Sequence, residues 1–265
     1  MTEAPHLLVS EEDAILIATF NRPDKLNAMS IKLMNSLRDA VERFRDTPEL
    51  KVMLIRSTGR YFSSGADLKE GGSALPTVGS AVREIHRRAP NIMRTVWDEI
   101  EHIEKPFVVA HQGVCVGGGL DLSLSCDFRL AATSAAYAFP EAKFGLLPAT
   151  NGVSRLTRVI GTHWARYLVM ANKPASSAQA LNMGLVHEVY PDETFEADVM
   201  SFCRHLTQQN GEMMGTAKLT IEIAADLGAD QAASVERMAN SALMLAPSYA
   251  EGMKRHIASL GAKKS

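Results

Sequence analysis

The sequence predicts an α/β protein in which a sheet with crossover helices is followed by an all-helical C-terminal region. Short runs of β-branched residues alternate with longer amphipathic segments over the first two thirds of the chain. After about residue 194 the strand pattern stops and only helical segments follow. The 265 residues, 46% of them apolar, are enough to bury a sizeable core.

Five short runs have the length and the branched side chains that are typical of buried strands. They lie at 14–22, 51–58, 107–113, 128–133 and 185–190. We expect all five to belong to one sheet system.

Two amphipathic segments connect the first three strands. Ser30 is the expected N-cap of the first, whose apolar residues recur every three to four positions. This predicted face consists of Ile31, Met34, Leu37, Val41 and Phe44. The second segment spans about 82–103 and contains Val82, Ile85, Trp97 and Ile100. We expect an interruption near Pro90, because proline cannot donate the amide hydrogen bond of an interior helical residue.

The C-terminal part reads as four successive helices separated by Gly, Asn or Pro. They lie at 195–210, 215–228, 231–246 and 248–261. The sequence therefore predicts a sheet-containing region over 1–193 and a helical region over 194–265, whose helices pack on the core or on a neighbouring subunit.

Composition and charge exclude several classes of function. The net charge is −2 with both signs interspersed, so no nucleic-acid-binding face is visible, and the basic pair Lys263 and Lys264 is expected to be a solvated tail. The N-terminus lacks a signal-peptide pattern, and no apolar run reaches the roughly 18 residues of a membrane span. We therefore expect a soluble cytoplasmic protein that contacts neither nucleic acid nor membrane.

Cysteine and histidine patterns point to the core. Cys115, Cys126 and Cys203 form neither a disulfide framework nor a CxxC pattern, and we expect them to be buried as small apolar residues. His86 and His111 are expected in the core or at a strand end, and no HExxH motif or similar spacing suggests a metal.

Two glycine turns are the main candidates for chemistry. The first, GVCVGGGLDLSLSCDF at 113–128, has a turn between a strand and a short helix, which leaves the first helical N–H groups free. It lacks the spacing of a dinucleotide or Walker loop, and tight helix packing would also explain three glycines. The second, RYFSSGADLKE at 60–70, also follows a strand and has small residues that permit close approach of a ligand. Together, two such turns could supply the two donors of an oxyanion hole.

These two turns, with NRPDKLNAM at 21–29 and FPEAKFGLLP at 139–148, resemble the crotonase, or enoyl-CoA hydratase/isomerase, superfamily. The order and separations match from about residue 14 to the end of the chain. The resemblance implies a crotonase-like spiral of ββα units over 1–193 and a helical trimerisation region over 194–265. It also implies a homotrimer or a homohexamer built as a dimer of trimers.

The resemblance further implies that the substrate is an acyl-CoA thioester, with coenzyme A as part of the substrate and no separate cofactor or metal. By motif position, the thioester oxygen would lie between the backbone N–H groups of Ala66 and Gly118. The implied coenzyme A contacts are Lys25, Leu26, Ala28, Ser64, Asp67, Leu68 and Lys69. For Asp67 we expect a role in bracing the loop.

The acids of the family motif are Asp121, after the glycines, and Glu141, after Pro140. In a hydratase one carboxylate activates water for attack at Cβ while the other, protonated, gives a proton to Cα. Asp121 is one methylene shorter than the usual hydratase glutamate. Without the family, Asp121 could instead interact with a helix N-terminus, and Glu141 could be a surface acid.

This sequence departs from the family pattern at two places that bear on the reaction. Dienoyl-CoA isomerases, and some enoyl-CoA isomerases, carry an acid at the position of Ala149, so this residue argues against both. Thr150 and Asn151 replace part of a glycine-rich run, and we expect them to narrow or polarise the acyl pocket.

The leading hypothesis is an enoyl-CoA hydratase that uses an oxyanion hole and the two carboxylates. The runner-up is an enoyl-CoA isomerase with Glu141 as its sole base. Thioester hydrolysis, carbon–carbon lyase chemistry and non-catalytic acyl-CoA binding also stay open.

Overall fold

The computed structural model describes residues 4–71 and 92–262. The chain forms two compact units, Met1–Thr207 and Gln208–Ser265. The predicted division of roles between 1–193 and 194–265 stays a prediction. Predictions for Val82, Ile85, His86, Pro90, Lys263 and Lys264 lie outside the described residues.

The described elements alternate as the α/β prediction requires. In chain order the strands are β1 (Leu7–Glu12), β2 (Ile15–Phe20), β3 (Val52–Ser57), β4 (Tyr61–Ser63), β5 (Phe107–His111), β6 (Val114–Val116), β7 (Phe128–Ala132), β8 (Ala136–Ala138), β9 (Ala175–Ser176) and β10 (Glu188–Tyr190). The α-helices are α1 (Ile31–Asp46), α2 (Leu68–Gly71), α3 (Ile92–His102), α4 (Gly118–Ser125), α5 (Gly152–Ala165), α6 (Ser177–Asn182), α7 (Phe195–Thr207), α8 (Gly211–Ala224), α9 (Ala229–Leu245) and α10 (Pro247–Ala262). Short 3₁₀ helices lie at Pro23–Lys25 and Pro140–Phe144, and a π-helix lies at Arg166–Met170.

A six-stranded sheet has the order β1-β2-β3-β5-β7-β10, in which β1 pairs antiparallel with β2 and the other neighbours are parallel. Every residue of β2 is buried, as expected for a strand covered on both faces. The five predicted strands are β2, β3, β5, β7 and β10, so the prediction of one sheet system is confirmed.

A second sheet has the order β4-β6-β8-β9, with β4, β6 and β8 parallel. Strands β4, β6 and β8 each follow, after a short turn, a strand of the large sheet. Two neighbouring strands followed by a helix therefore recur along the chain. This is the arrangement of a spiral of ββα units.

Helix α1 begins where the sequence predicts. The Ser30 side chain accepts a hydrogen bond from the Leu33 amide at 3.1 Å, and Met34, Leu37, Val41 and Phe44 are buried. The expectation for Ile31 is wrong: its side chain is 63% exposed. It is the first residue of the helix, and the core contacts of this face begin at Leu33 and Met34.

The main core joins both sheets to α1, α3 and α4, while α7 packs on the large sheet through β2, β3 and β7. The predicted burial of Cys115, Cys126 and Cys203 is confirmed, and none of the three forms a disulfide. His111 is also buried, as expected, and burial lowers its pKa to about 3, so the ring is neutral at pH 7.

The C-terminal unit contains α8, α9 and α10, with α9 packed against α8 and α10. These helices expose many large apolar side chains. The exposed residues include Ile221, Ile223, Met238, Met244, Leu245 and Ile257. Within the described residues, no helix combines the length and apolar character needed to cross a bilayer.

Candidate active site

The second sheet positions the candidate site. Strands β4, β6 and β8 are parallel neighbours, so their carboxyl ends lie at one edge of the sheet. Gly65 and Ala66 follow β4, Gly117 and Gly118 follow β6, and Glu141 follows β8. The topology therefore gathers both glycine turns and one of the two predicted acids.

The turn after β4 leaves one amide free. Gly65 has φ +88°, and Ala66 lies in a parallel bridge with Met29. The bridge uses the Met29 amide, which donates to the Gly65 carbonyl at 2.8 Å, and the Asp67 amide, which donates to the Met29 carbonyl at 3.2 Å. The Ala66 N–H takes no part in this bridge, and within residues 4–71 and 92–262 it has no hydrogen-bond acceptor.

The turn after β6 presents a second amide. Gly117 has φ +55°, and Gly118 is the first residue of α4, so its N–H has no acceptor within the helix. A Cβ on Gly65 would lie 3.1 Å from the Gly118 nitrogen, and one on Gly118 would lie 3.5 Å from the Ala66 nitrogen. Residues without side chains thus bring the two amides together.

Glu141 lies directly beside these amides. A Cβ on Gly117 would be 2.9 Å from Glu141 Oε1, so glycine leaves the space that the carboxyl group occupies. Glu141 Oε2 is buried, and in the described part of the chain it has no hydrogen-bond partner. Burial raises the pKa of Glu141, and the negative charge of Asp121 raises it further.

Asp121 is in the first turn of α4 and is only 3% exposed. Its Oδ2 accepts a hydrogen bond from the Thr150 hydroxyl, whereas Oδ1 is buried with no partner among the described residues. Burial raises the pKa of Asp121 to about 6, although the Thr150 hydrogen bond and the positive charge of Arg155 act in the opposite direction.

Glycine also makes room for Asp121. A Cβ on Gly152 would overlap Asp121 Oδ1 and would crowd Pro148, so the carboxyl group rests against the backbone of Gly152. Ala149, in the same loop, is exposed and carries no acid, as the sequence already shows. Asn151 has φ +65° and is the N-cap residue of α5.

Arg155 ties this loop to α3. Its Nη1 donates to the Thr150 carbonyl at 2.7 Å. Its Nε and Nη2 donate to the two oxygens of Glu101 at 2.5 and 2.7 Å, and Nη2 also donates to Asp98 at 2.8 Å. Arg155 is 6% exposed while Asp98 and Glu101 are partly exposed, and this charge-assisted pairing holds the Thr150 loop in place.

The residues expected to contact coenzyme A occupy two adjoining segments. The Ser64 amide donates to the Leu26 carbonyl at 2.9 Å, which joins the segments directly. The partly buried residues are Leu26, Ala28, Ser64 and Asp67, and the exposed ones are Lys25, Leu68 and Lys69. The structure thus brings this set together beside Ala66.

Asp67 braces the turn that contains Ala66. Its carboxylate pairs with Arg22 at 3.0 Å and accepts the Lys69 amide at 3.2 Å. Arg22 also donates to the Ala28 carbonyl at 2.6 Å, so one guanidinium group connects both segments. Sequence reasoning did not single out Arg22, whose only signal was its place within the NRPDKLNAM motif.

Sequence reasoning overlooked other residues too. The sulfur atoms of Met29 and Met93 would each be 3.7 Å from a Cβ on Gly118, so both thioethers border the free amides. Gly152 and Arg155 gave no signal, since a single glycine and a single arginine in a helical segment are unremarkable. In the described ranges, no three His, Cys, Asp or Glu side chains cluster as metal ligands would.

Comparison with known proteins agrees with this geometry. A family model described as enoyl-CoA hydratase/isomerase matches residues 10–260. A probable enoyl-CoA hydratase of Mycobacterium bovis is 28% identical over 251 residues, covering 95% of this chain and 94% of the relative. An enoyl-CoA isomerase/hydratase of Mycosarcoma maydis is 32% identical over 225 residues, covering 82% of this chain and 77% of that relative. The solved enoyl-CoA hydratase of Bacillus anthracis gives a TM-score of 0.87 at 25% identity, covering 96% of both chains.

The fold and the site define an α/β protein of ββα units in which two glycine turns place free amides beside an acid. The chain belongs to the enoyl-CoA hydratase/isomerase family, within the crotonase superfamily. The predicted fold class and the predicted resemblance are confirmed. The trimerisation of the C-terminal helices stays a prediction.

Proposed function

We propose that this protein is an enoyl-CoA hydratase, which adds water reversibly and syn to a 2-enoyl-CoA thioester. The observation that carries this proposal is the pair of acids Asp121 and Glu141. Each has one buried oxygen without a hydrogen-bond partner among the described residues, and the free amides of Ala66 and Gly118 lie beside Glu141. A binding protein would need the amides but not the acids.

The two amides would act on the thioester carbonyl oxygen. Addition of water at Cβ places negative charge on that oxygen, and donors already aimed at it stabilise the charge without reorganisation. One carboxylate accepts a proton from water as the water oxygen bonds to Cβ, and the other carboxyl group gives its proton to Cα.

The raised pKa values of Asp121 and Glu141 suit a mechanism in which one group is the base and the other the acid. Burial raises the pKa of both acids, and the negative charge of Asp121 further disfavours ionisation of Glu141. A raised pKa brings each group closer to the state that the reaction needs, in which one carboxyl group is ionised and its neighbour holds a proton. That state supplies a base and an acid at once.

We further propose that coenzyme A is bound as part of the substrate and that no separate cofactor or metal takes part. The exposed ammonium groups of Lys25 and Lys69 suit the phosphates of coenzyme A. The neighbouring backbone at Leu26, Ala28 and Ser64 would contact the rest of the ligand. Asp67 and Leu68 complete the set, Asp67 by holding the turn through Arg22.

An enoyl-CoA isomerase with Glu141 as its sole base is the second candidate. The position of Glu141 against Gly117, next to both free amides, favours it, because moving a double bond needs one group to transfer a proton between carbons. The Mycosarcoma maydis relative carries both activities in its name. Asp121 distinguishes the candidates, since it is needed only for hydration.

The test combines a panel of acyl-CoA thioesters, analysed by mass spectrometry, with the variants Asp121→Asn and Glu141→Gln. For a hydratase, each variant should lower hydration of a short 2-enoyl-CoA by about 10² or more while binding changes little. The exposed Glu193→Gln serves as the control. For an isomerase, Asp121→Asn should leave migration of a 3-enoyl double bond intact.

Wild-type hydration in both variants would refute the two-carboxylate mechanism. Release of free coenzyme A from the panel would indicate a thioester hydrolase, and cleavage of the acyl chain would indicate a carbon–carbon lyase. Binding of thioesters without any turnover would indicate a non-catalytic acyl-CoA-binding protein.

We also propose that the protein assembles as a homotrimer or as a dimer of trimers. The C-terminal unit exposes side chains such as Ile221, Met238 and Leu245, the last at 88%. Apolar surface of this kind marks protein contacts in soluble proteins.

A further inference from the structure

We propose that Thr150 is the positioning residue for Asp121, and that it reserves Asp121 Oδ1 for the reacting water or substrate. The role rests on the proposed function. It is supported by the contacts that surround one carboxyl group, and those contacts can be tested whether or not the protein hydrates an enoyl-CoA.

The first contact is the hydroxyl group. Thr150 donates to Asp121 Oδ2, and Oδ1 has no partner within the described residues. A carboxylate whose second oxygen is already bonded cannot rotate freely without breaking that bond. Thr150 therefore determines which of the two oxygens is available for chemistry.

The second contact is the backbone of Gly152, against which Oδ1 rests. The short aspartate side chain is thus enclosed on one side by a hydroxyl group and on the other by a residue without a Cβ. An alanine at either position would remove the donor or the space. The loop from Thr150 to Gly152 fits an aspartate at position 121.

The hydroxyl group is itself held in place. Arg155 fixes the Thr150 carbonyl at 2.7 Å and is in turn held by Glu101 and Asp98 of α3. Thr150 is 8% exposed, and β-branching restricts its side-chain rotamers. Three connected polar contacts therefore link the Asp121 carboxyl group to a neighbouring helix.

The competing interpretation is that Thr150 is only a wall of the acyl pocket, as its place in the sequence suggests. The two interpretations differ in what they require of the side chain. A wall needs volume, which valine supplies, whereas a positioning residue needs the hydroxyl group, which serine supplies.

The experiment compares Thr150→Val with Thr150→Ser, using Thr157→Val as the matched control. Thr157 is in the same helix as Arg155 and donates only to the Val153 carbonyl at 2.8 Å. Thr150→Val should lower kcat for hydration about tenfold or more, because a hydrogen bond to a charged group is lost, with little change in KM. Thr150→Ser and Thr157→Val should stay within about threefold of the wild type.

A second test follows the pKa of Asp121, first through turnover and then by unfolding, which does not depend on turnover. The hydroxyl group stabilises the ionised carboxylate, so Thr150→Val should raise the pKa of Asp121 and move the acidic limb of the pH–kcat/KM profile upward. The same shift should be visible in the pH dependence of urea unfolding. Asp121→Asn, which lacks the titrating carboxyl group, is the reference for this measurement. Arg155 lowers the pKa of Asp121, Glu141 is the acid whose pKa the Asp121 charge raises, and both residues remain in the variant. Cys115, which also interacts with Asp121, is buried with a raised pKa and stays neutral.

The outcomes separate the hypotheses. Loss in Thr150→Val with recovery in Thr150→Ser, together with the pKa shift, supports the positioning role. Equal losses in both variants, or an unchanged Asp121 pKa in Thr150→Val, overturn it. If the wild type hydrates no enoyl-CoA, the proposed function fails, and the unfolding measurement alone then decides whether Thr150 controls the Asp121 carboxyl group.

Discussion

Replacement of Asp121 by Asn should make the protein more stable at alkaline pH relative to the wild type. The Asp121 carboxyl group is 3% exposed, and burial raises its pKa from 3.8 to about 6. The folded chain therefore holds this proton more tightly than the unfolded chain does. The stabilising contribution of the protonated form is complete below about pH 3.8 and is lost as the pH rises through about 6.

The size of the effect follows from the shift. The rise in the Asp121 pKa from 3.8 to about 6 lowers the free energy of unfolding of the wild type by roughly 3 kcal/mol at pH 8, at about 1.36 kcal/mol per pKa unit. Roughly half of this loss is already present at pH 5. The free energy of unfolding of Asp121→Asn minus that of the wild type should therefore rise by about 1.4 kcal/mol between pH 5 and pH 8.

Urea unfolding of both proteins at one concentration, followed by circular dichroism at several pH values, measures this difference. Glu141 is present in both chains, so most of its own titration cancels. Asp39→Asn, which changes an exposed aspartate of α1, is the control for the same substitution away from the site. A difference for Asp121→Asn that stays constant within about 0.5 kcal/mol would refute the assignment of a buried carboxyl group that ionises at a cost.

Three further predictions follow from the site and the assembly. Asp121→Glu should lower hydration, because the extra methylene drives the carboxyl group into Gly152, and activity equal to the wild type would show that the pocket has room. Coenzyme A or acetyl-CoA should raise the unfolding temperature, because ligand at 100 times Kd stabilises the folded chain by about 2.7 kcal/mol. EDTA should leave activity intact. The absence of both a thermal shift and calorimetric binding at millimolar ligand would count against the proposed donors. Light scattering should give the mass of a trimer or hexamer, and a monomer at working concentration would contradict the proposed role of the C-terminal helices.

The large sheet could be predicted from the sequence because most of its parallel strands are rich in apolar residues. Strands β2, β3, β5 and β7 are almost entirely buried, so hydrophobicity alone marks them. The second sheet could not be predicted in the same way. Its strands β4, β6 and β8 have three residues each, too few for a periodic pattern.

The glycine turns could be located because backbone conformation restricts the residue type. Gly65 and Gly117 both have positive φ, and each precedes a residue whose amide is left free. That the two amides face each other was not visible, because it depends on the pairing of β4 with β6. Family resemblance supplied the pairing that periodicity could not.

The environment of Asp121 was the least predictable part of the site, and the reason is distance along the chain. Thr150 is 29 residues from Asp121, and Arg155 is 54 residues from Glu101, so no local pattern joins them. Thr150 was expected to narrow or polarise the acyl pocket, which stays a prediction, and its hydrogen bond to the Asp121 carboxylate was not foreseen. Asp121 is one methylene shorter than the usual acid of the family motif, and the loop that contains Thr150 and Gly152 contacts its carboxyl group directly. The side-chain length of a motif acid such as Asp121 can therefore be interpreted only together with its hydrogen-bond partner, here Thr150.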